Sequence, residues 1–87
     1  MPAKLEHVNI AVPDAKATAD LLREVFGWRI RWEGASLNGG YSVHVGDEGT
    51  YLTLYSPKGG LKPARPRYRD TGSLCHVGLV VDDLEAA

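Results

Sequence analysis

The chain has 87 residues, of which 44% are hydrophobic and 24% charged, and its formal net charge is −1. These values are typical of a small globular domain and argue against a disordered or fibrous protein. They predict no long-range attraction to nucleic acid or to an anionic membrane, and no apolar run reaches the ~20 residues that span a bilayer. The single cysteine, Cys75, and the lack of an apolar leader after Met1 favour a cytoplasmic protein without disulfides.

The first predicted element is a strand over residues 4–12, where apolar and other residues alternate. Val8 and Ile10 fall on one face of this strand, and His7 falls on the other. One side of the strand is therefore expected to join a core, and the other to carry polar chemistry.

A helix is predicted next, over residues 15–26. Asp14 is a typical N-cap residue, and Gly27 is a typical C-terminal stop because glycine adopts the left-handed conformation at little cost. The apolar stripe expected to face the core is Ala17, Leu21, Leu22, Val25 and Phe26.

Three more strands are predicted, at residues 28–32, 41–45 and 50–56, with glycine-rich turns between them. Residues 57–72 show no periodicity and predict a long loop. Its basic residues indicate a solvated connection, because no nucleic-acid-binding motif accompanies them. A last strand is expected at 74–81, and a helix then starts at Asp82 or Asp83 but is not completed.

An internal repeat relates the two strand-helix junctions, LEHVNIAVPDAKA at 5–17 and LCHVGLVVDDLEA at 74–86. Such self-similarity indicates a duplicated unit. The identical pairs are Leu5 and Leu74, His7 and His76, Val8 and Val77, Val12 and Val81, Asp14 and Asp83, and Ala17 and Ala86. We therefore expect an α+β protein: a βαβββ module at 1–56, an inter-module loop at 57–73, and the start of a second module at 74–87 in a chain that continues.

The helix of such a module covers only one face of its sheet, so the other face needs a second module or a homodimer partner. Two modules related by an approximate two-fold would enclose a cleft between their bare faces. His7 and His76 occupy equivalent strand positions and point away from the valines, so they are expected to meet across this cleft.

The His-containing first strand, the Pro13-Asp14 junction and the helix ending Phe26-Gly27-Trp28 resemble the vicinal oxygen chelate superfamily, as does the run HVGLVVDDLEAA. This superfamily contains glyoxalases, bleomycin-resistance proteins and extradiol dioxygenases. The resemblance implies paired βαβββ modules, but it leaves the reaction open among lyases, epimerases, dioxygenases, thiol transferases and non-catalytic drug-binding proteins.

The resemblance also implies that His7 and His76 are ligands of a divalent metal ion such as Mn, Zn, Ni or Fe. In the glyoxalase pattern the last strand of the module adds a glutamate, whereas this sequence has Thr53, and a hydroxyl is a weak ligand. Either a carboxylate of the second module completes the site, or the metal has been lost. Tyr51, Thr53 and Tyr55 are expected to line the cleft as substrate contacts, because Leu52 and Leu54 face the helix.

Other candidate residues are less informative. His44 has no mate in the repeat and is interpreted as structural, and Trp28 as part of the core. Arg29 and Arg31 would steer an anionic substrate if their strand face looks inward, and the sequence does not decide that parity.

Two functions follow from these features. The first is a metal-dependent enzyme that acts on a small molecule chelating the ion through vicinal oxygens. The second is a metal-free protein that sequesters an aromatic drug or metabolite in the same cleft. A third reading is that the 87 residues are a piece of a duplicated protein and have no activity alone. The substrate and the reaction are not decided by the sequence.

Overall fold

The computed structural model describes residues 2–63, 68–72, 74 and 76–82. Its elements are β1 (His7–Ala11), α1 (Ala15–Phe26), β2 (Arg29–Ala35), a 3-10 turn at Leu37–Gly39, β3 (Tyr41–Gly46) and β4 (Tyr51–Ser56). The strands form one sheet in the order β1-β4-β3-β2, in which β1 is parallel to β4 and the other pairs are antiparallel. The predicted βαβββ arrangement is confirmed.

The helix has the predicted bounds because both of its ends are fixed by local chemistry. The carboxylate of Asp14 accepts a hydrogen bond from the Ala17 amide at 3.0 Å. Gly27 has φ of 69°, and its amide donates to the carbonyl of Arg23 at 2.9 Å. These two caps satisfy backbone groups that a helix otherwise leaves without partners.

The core lies between α1 and one face of the sheet. Ala15 and Ala19 are buried, and their small side chains let the helix approach Val43, Val45 and Leu54, which are at most 2% exposed. The predicted core stripe is wrong for Ala17, Leu21 and Val25, which are exposed. The helix has two parallel apolar rows, one with Ala15 and Ala19 and one with Ala17, Leu21 and Val25. The row with the two buried alanines faces the sheet because it lets the helix pack closer to the strands.

Ser56 at the end of β4 joins the helix to the sheet. Its hydroxyl accepts a hydrogen bond from the Ala15 amide at the start of α1 and donates to the Val12 carbonyl at 3.0 Å. The Val12 amide in turn donates to the Tyr55 carbonyl at 2.8 Å. The turn from β1 into α1 is therefore tied to β4 by one partly buried hydroxyl.

β2 is longer than predicted and contains a bulge. Ile30 pairs with Val45 and Trp32 pairs with His44, so the register shifts at Arg31. A bulge adds one unpaired residue and changes the face to which the following side chains point. Trp32 consequently lies on the face away from α1.

The strand predicted at 74–81 is not observed: no strand is assigned to Leu74 or to residues 76–82, the described part of this segment. A strand requires a hydrogen-bonding neighbour, and none of β1–β4 pairs with these residues. The helix expected at 83–87 lies outside the described residues. Residues 57–63 and 68–72 contain neither helix nor strand, as predicted for a loop. None of the described helices has the length and apolar character needed to cross a membrane.

Candidate functional site

The face of the sheet opposite α1, called the open face below, carries polar and aromatic side chains. Residues paired across neighbouring strands point to the same face, and His7 pairs with Tyr51 while Thr53 pairs with both Asn9 and His44. The predicted alternation along β4 is confirmed, since Leu54 is buried in the core. The open face comprises His7, Asn9, Arg31, Trp32, Ser42, His44, Tyr51, Thr53 and Tyr55.

The ring of Tyr51 is the centre of this face. The His7 ring lies 5.0 Å from it with an angle of 11° between the planes, and the His44 ring lies 4.9 Å from it at 23°. The guanidinium carbon of Arg31 is 4.3 Å from the centre of the Tyr51 ring. Trp32 extends the row, with its ring 5.1 Å from His44. The result is a row of four rings packed against one another, with the Arg31 guanidinium against the ring of Tyr51.

Glu6 orients His7. Its Oε1 accepts a hydrogen bond from His7 Nδ1 at 2.9 Å and one from the Tyr51 hydroxyl at 3.3 Å. The bond from His7 and then that from Tyr51 lower the pKa of Glu6, so this group is a carboxylate and can only accept. In neutral His7 the proton therefore lies on Nδ1, and the lone pair of Nε2 is available for a ligand.

Tyr51 and His44 are held in their neutral forms at neutral pH. Burial, followed by the charge of Glu6, raises the pKa of Tyr51, so its hydroxyl is a hydrogen-bond donor. Burial, followed by the charges of His7 and Arg31, lowers the pKa of His44 against the opposing effect of Glu6. His44 thus adds an imidazole to the open face without adding a charge.

Thr53 is an unusual residue of this face. It is 7% exposed, and its hydroxyl has no hydrogen-bond partner among the described residues. A buried hydroxyl without a partner costs about 1–3 kcal/mol. Thr53 therefore marks a place where the fold tolerates a local loss of stability, a common property of functional sites.

The family to which the chain belongs follows from comparison with known proteins. The model of the Glyoxalase/Bleomycin resistance protein/Dioxygenase superfamily matches residues 4–87. The chain belongs to this superfamily. The chain is also 33% identical, over 87 residues, to "Methylmalonyl-CoA epimerase, mitochondrial" of Dictyostelium discoideum. That match covers 97% of the chain and 52% of the relative, so the chain spans about half of the relative's length.

Among the described residues, His7 is the side chain best placed to be a ligand of a metal ion. His7 fits, because its Nδ1 is bonded to Glu6 and its Nε2 has no hydrogen-bond partner among the described residues. No group of three or more His, Cys, Asp or Glu side chains able to hold an ion occurs among the described residues. His44 does not complete a pair with His7, since β4 separates their strands and places them about 10 Å apart, too far for one ion.

The structure brings Tyr51 and Thr53 to the same face as His7, as predicted, and Tyr55 as well. Tyr55 donates its hydroxyl proton to the Leu37 carbonyl at 2.9 Å, so it also fixes the turn before β3. His76 is exposed, and the next residues, 77–79, line a cavity of about 170 Å³ together with His7 and Tyr51. The roles of His7 and His76 as metal ligands, and of Tyr51, Thr53 and Tyr55 as substrate contacts, stay predictions.

The sequence analysis missed one residue of the site, Glu6, and left the face of Arg31 undecided. Glu6 directly precedes β1, and the alternation of a regular strand would place it on the face opposite His7, so only the structure reveals its contact with His7. Arg31 was considered, but its face depends on the bulge in β2, and the sequence carries no mark of that bulge.

Proposed function

We propose that this chain provides one half of the site of an enzyme that removes and returns a proton beside a carbonyl group, with a divalent metal ion bound in part by His7. The observation that carries the proposal is the Glu6–His7–Tyr51 arrangement, which leaves Nε2 of His7 free on the open face. The similarity to a protein named as an epimerase supports the choice of reaction.

The substrate class follows from the name of that relative. A methylmalonyl thioester has one carbon that carries a hydrogen, a carboxylate and the thioester carbonyl. Inverting this carbon requires its C–H bond to break and a proton to return on the opposite side. The two acyl oxygens beside this carbon also form a pair that can chelate one ion, as the superfamily pattern requires.

The residues of this chain would have distinct roles. His7 would bind the ion, Glu6 would fix the ring of His7, and the neutral Tyr51 hydroxyl would be a hydrogen-bond donor beside it. A divalent ion bound there would act as a Lewis acid on a substrate oxygen. His76 would be a further ligand by the internal repeat, and Thr53 stands where the glyoxalase pattern has a carboxylate. The groups that accept the proton and return it on the opposite side would come from the other half of the site, outside the described residues.

The proposal includes a second module or a second copy of the chain over the open face. Trp32 is 49% exposed, and in the last described segment Leu74 is 52% and Val80 100% exposed. A large apolar side chain such as Trp32, half exposed on a face that also carries a candidate site, indicates a covered surface in the assembled protein. We keep the cytoplasm as the proposed compartment on the basis of the single cysteine.

The test is solvent exchange of the substrate proton. The full-length protein is incubated with methylmalonyl-CoA in D2O, and loss of the C2 proton signal is followed by NMR. We expect metal-dependent exchange that falls by at least about a hundredfold in His7→Ala, because loss of the ion removes several kcal/mol of charge stabilisation, while His44→Gln retains it. Exchange that is unchanged in His7→Ala would remove His7 from the site.

A metal-free binding protein is the second candidate, and Thr53 favours it because the expected carboxylate is missing there. The packed rings of His7, Tyr51, His44 and Trp32 would give an aromatic ligand an apolar wall with edge contacts. Binding of a planar aromatic compound to metal-stripped protein, detected by quenching of tryptophan fluorescence, together with absence of proton exchange would establish this alternative.

A further inference from the structure

Arg31 differs from the arginines around it in what holds its guanidinium group. Arg29, on the same strand, is paired with Glu48 at 4.0 Å, and Arg23 on the helix is paired with Asp20 at 3.5 Å. Arg31 has no carboxylate within 4.0 Å and no hydrogen bond among the described residues. It is held instead over the ring of Tyr51, at 4.3 Å.

A guanidinium group held by a ring still has all of its N–H donors available. Arginine presents five donors in a planar fork that matches a carboxylate, and stacking on an aromatic ring leaves the edge of this fork free. Stacking also fixes the side chain before a ligand arrives, which reduces the entropy lost on binding. The geometry is that of a prepared anion site rather than of a solvated surface charge.

The bulge in β2 is the structural reason for this position. The shift between Ile30 and Trp32 leaves Arg31 without a partner on β3 and brings both Arg31 and Trp32 to the open face. A Cβ atom at Gly34 would lie 2.8 Å from the indole of Trp32, so the absence of a side chain there gives this ring its space. Arg31 therefore lies on an organised surface, with Tyr51 below it and Trp32 next in sequence.

We propose that Arg31 binds a carboxylate of a small acidic substrate and is the specificity-determining residue of the open face. This inference rests on the proposed function and deepens it. In a malonate-like thioester the carboxylate is attached to the carbon whose proton is exchanged. Arg31 and His7 contact the same Tyr51 ring. An anion paired with Arg31 would thus be held within the group of residues that includes the candidate metal ligand.

The experiment measures binding without turnover, by calorimetric titration of the full-length protein with malonate as the carboxylate probe and malonamide as its uncharged counterpart. We expect malonate to bind more tightly than malonamide. Arg31→Gln should weaken malonate binding by about tenfold to a hundredfold, the range for loss of a charged hydrogen-bonded pair. Arg31→Lys should recover only part of this loss, because an ammonium group does not form the two-pronged contact.

Arg29→Gln is the matched control, because it removes the same charge from the same strand but from a residue already paired with Glu48. It should change malonate affinity by less than about twofold, because dissolved salt screens the interaction between an exposed charge and a ligand that it does not contact. Equal losses in Arg29→Gln and Arg31→Gln, equal binding of malonate and malonamide, or no malonate binding to the wild type would overturn the assignment. Circular dichroism of both variants verifies that they are folded.

Failure of the carboxylate site and failure of the proposed reaction would give different results. Malonate binding that depends on Arg31, without proton exchange on methylmalonyl-CoA, would support the carboxylate site and refute the proposed reaction. Proton exchange with an unchanged KM in Arg31→Gln would support the reaction and refute the role of Arg31.

Discussion

The two faces of the sheet are built from the same strands but differ in composition: one is apolar and buried, and the other carries polar and aromatic side chains. On the face covered by α1, Val43, Val45 and Leu54 are almost completely buried, and the contacts are apolar. The next residues along the same strands, His44 and Thr53, point to the open face. The hydroxyl of Thr53 has no hydrogen-bond partner among the described residues. Stability is thus expected to depend on one face, and ligand recognition on the other.

Truncation of a core side chain on the covered face should reduce stability the most. Leu54→Ala should lower the free energy of unfolding by about 2–5 kcal/mol, because it leaves a cavity among side chains that cannot collapse fully. Trp32→Ala on the open face removes a larger side chain that is 49% exposed, and it should cost less than half as much. Urea denaturation of both variants gives the comparison. A greater loss in Trp32→Ala would show that the open face contributes more to stability than we infer.

Two hydroxyl groups of β4 are expected to differ in their contributions to stability. Ser56→Ala should cost about 1–3 kcal/mol, because it leaves the Ala15 amide and the Val12 carbonyl without their partner. Thr53→Val should be neutral or slightly stabilising, because it replaces a hydroxyl that makes no hydrogen bond within the described residues. Thermal unfolding of the two variants would decide, and a Thr53→Val variant as unstable as Ser56→Ala would show that the Thr53 hydroxyl makes a stabilising contact after all.

The smallest effect is a pH dependence that arises from His44. Its pKa in the folded protein is below the ordinary value of 6.5, chiefly because of burial and then because of His7 and Arg31, while Glu6 acts in the opposite direction. As the pH falls below about 6.5, the unfolded chain binds the proton first, so the stability contributed by neutral His44 is lost. His44→Gln should show a flatter loss of stability than the wild type between about pH 7 and pH 5.

The carboxylates act in a separate pH window. Hydrogen bonds lower the pKa of Glu6, Glu33 and Asp47 below their ordinary values of 4.5 and 3.8. Their contributions are complete above those values and are lost only as the pH falls through the lowered pKa values. Equal slopes for wild type and His44→Gln above pH 5 would show that His44 does not carry the effect.

The parts of the fold that were predictable from sequence are those fixed by local signals. Asp14 and Gly27 define α1 because each cap acts within one helical turn. The faces of β4 follow from alternation alone, which correctly assigned Leu54 to the core and Thr53 to the opposite side. The repeat and the motif around His7 were sufficient to indicate the family that residues 4–87 match.

The parts that were not predictable depend on partners distant in sequence. The bulge at Arg31 arises from the pairing between β2 and β3, and no residue type in this part of the sequence predicts it. The helix carries two apolar rows, and only contact with the sheet selects Ala15 and Ala19 over Leu21. A strand at 74–81 requires a neighbour to pair with, so alternation in that segment is not sufficient to form one.

We propose that His7 on the open face binds a divalent metal ion in a site to which position 53 belongs. Calorimetric titration of the full-length protein with Mn²⁺ tests it most directly. We expect binding in the wild type, loss of binding in His7→Ala, retention in His44→Gln, and affinity at least about tenfold higher in Thr53→Glu, which adds an anionic oxygen ligand near His7. Absence of binding in the wild type with no gain in Thr53→Glu, or equal affinity in the wild type and His7→Ala, would contradict the claim and leave the metal-free binding protein as the better explanation.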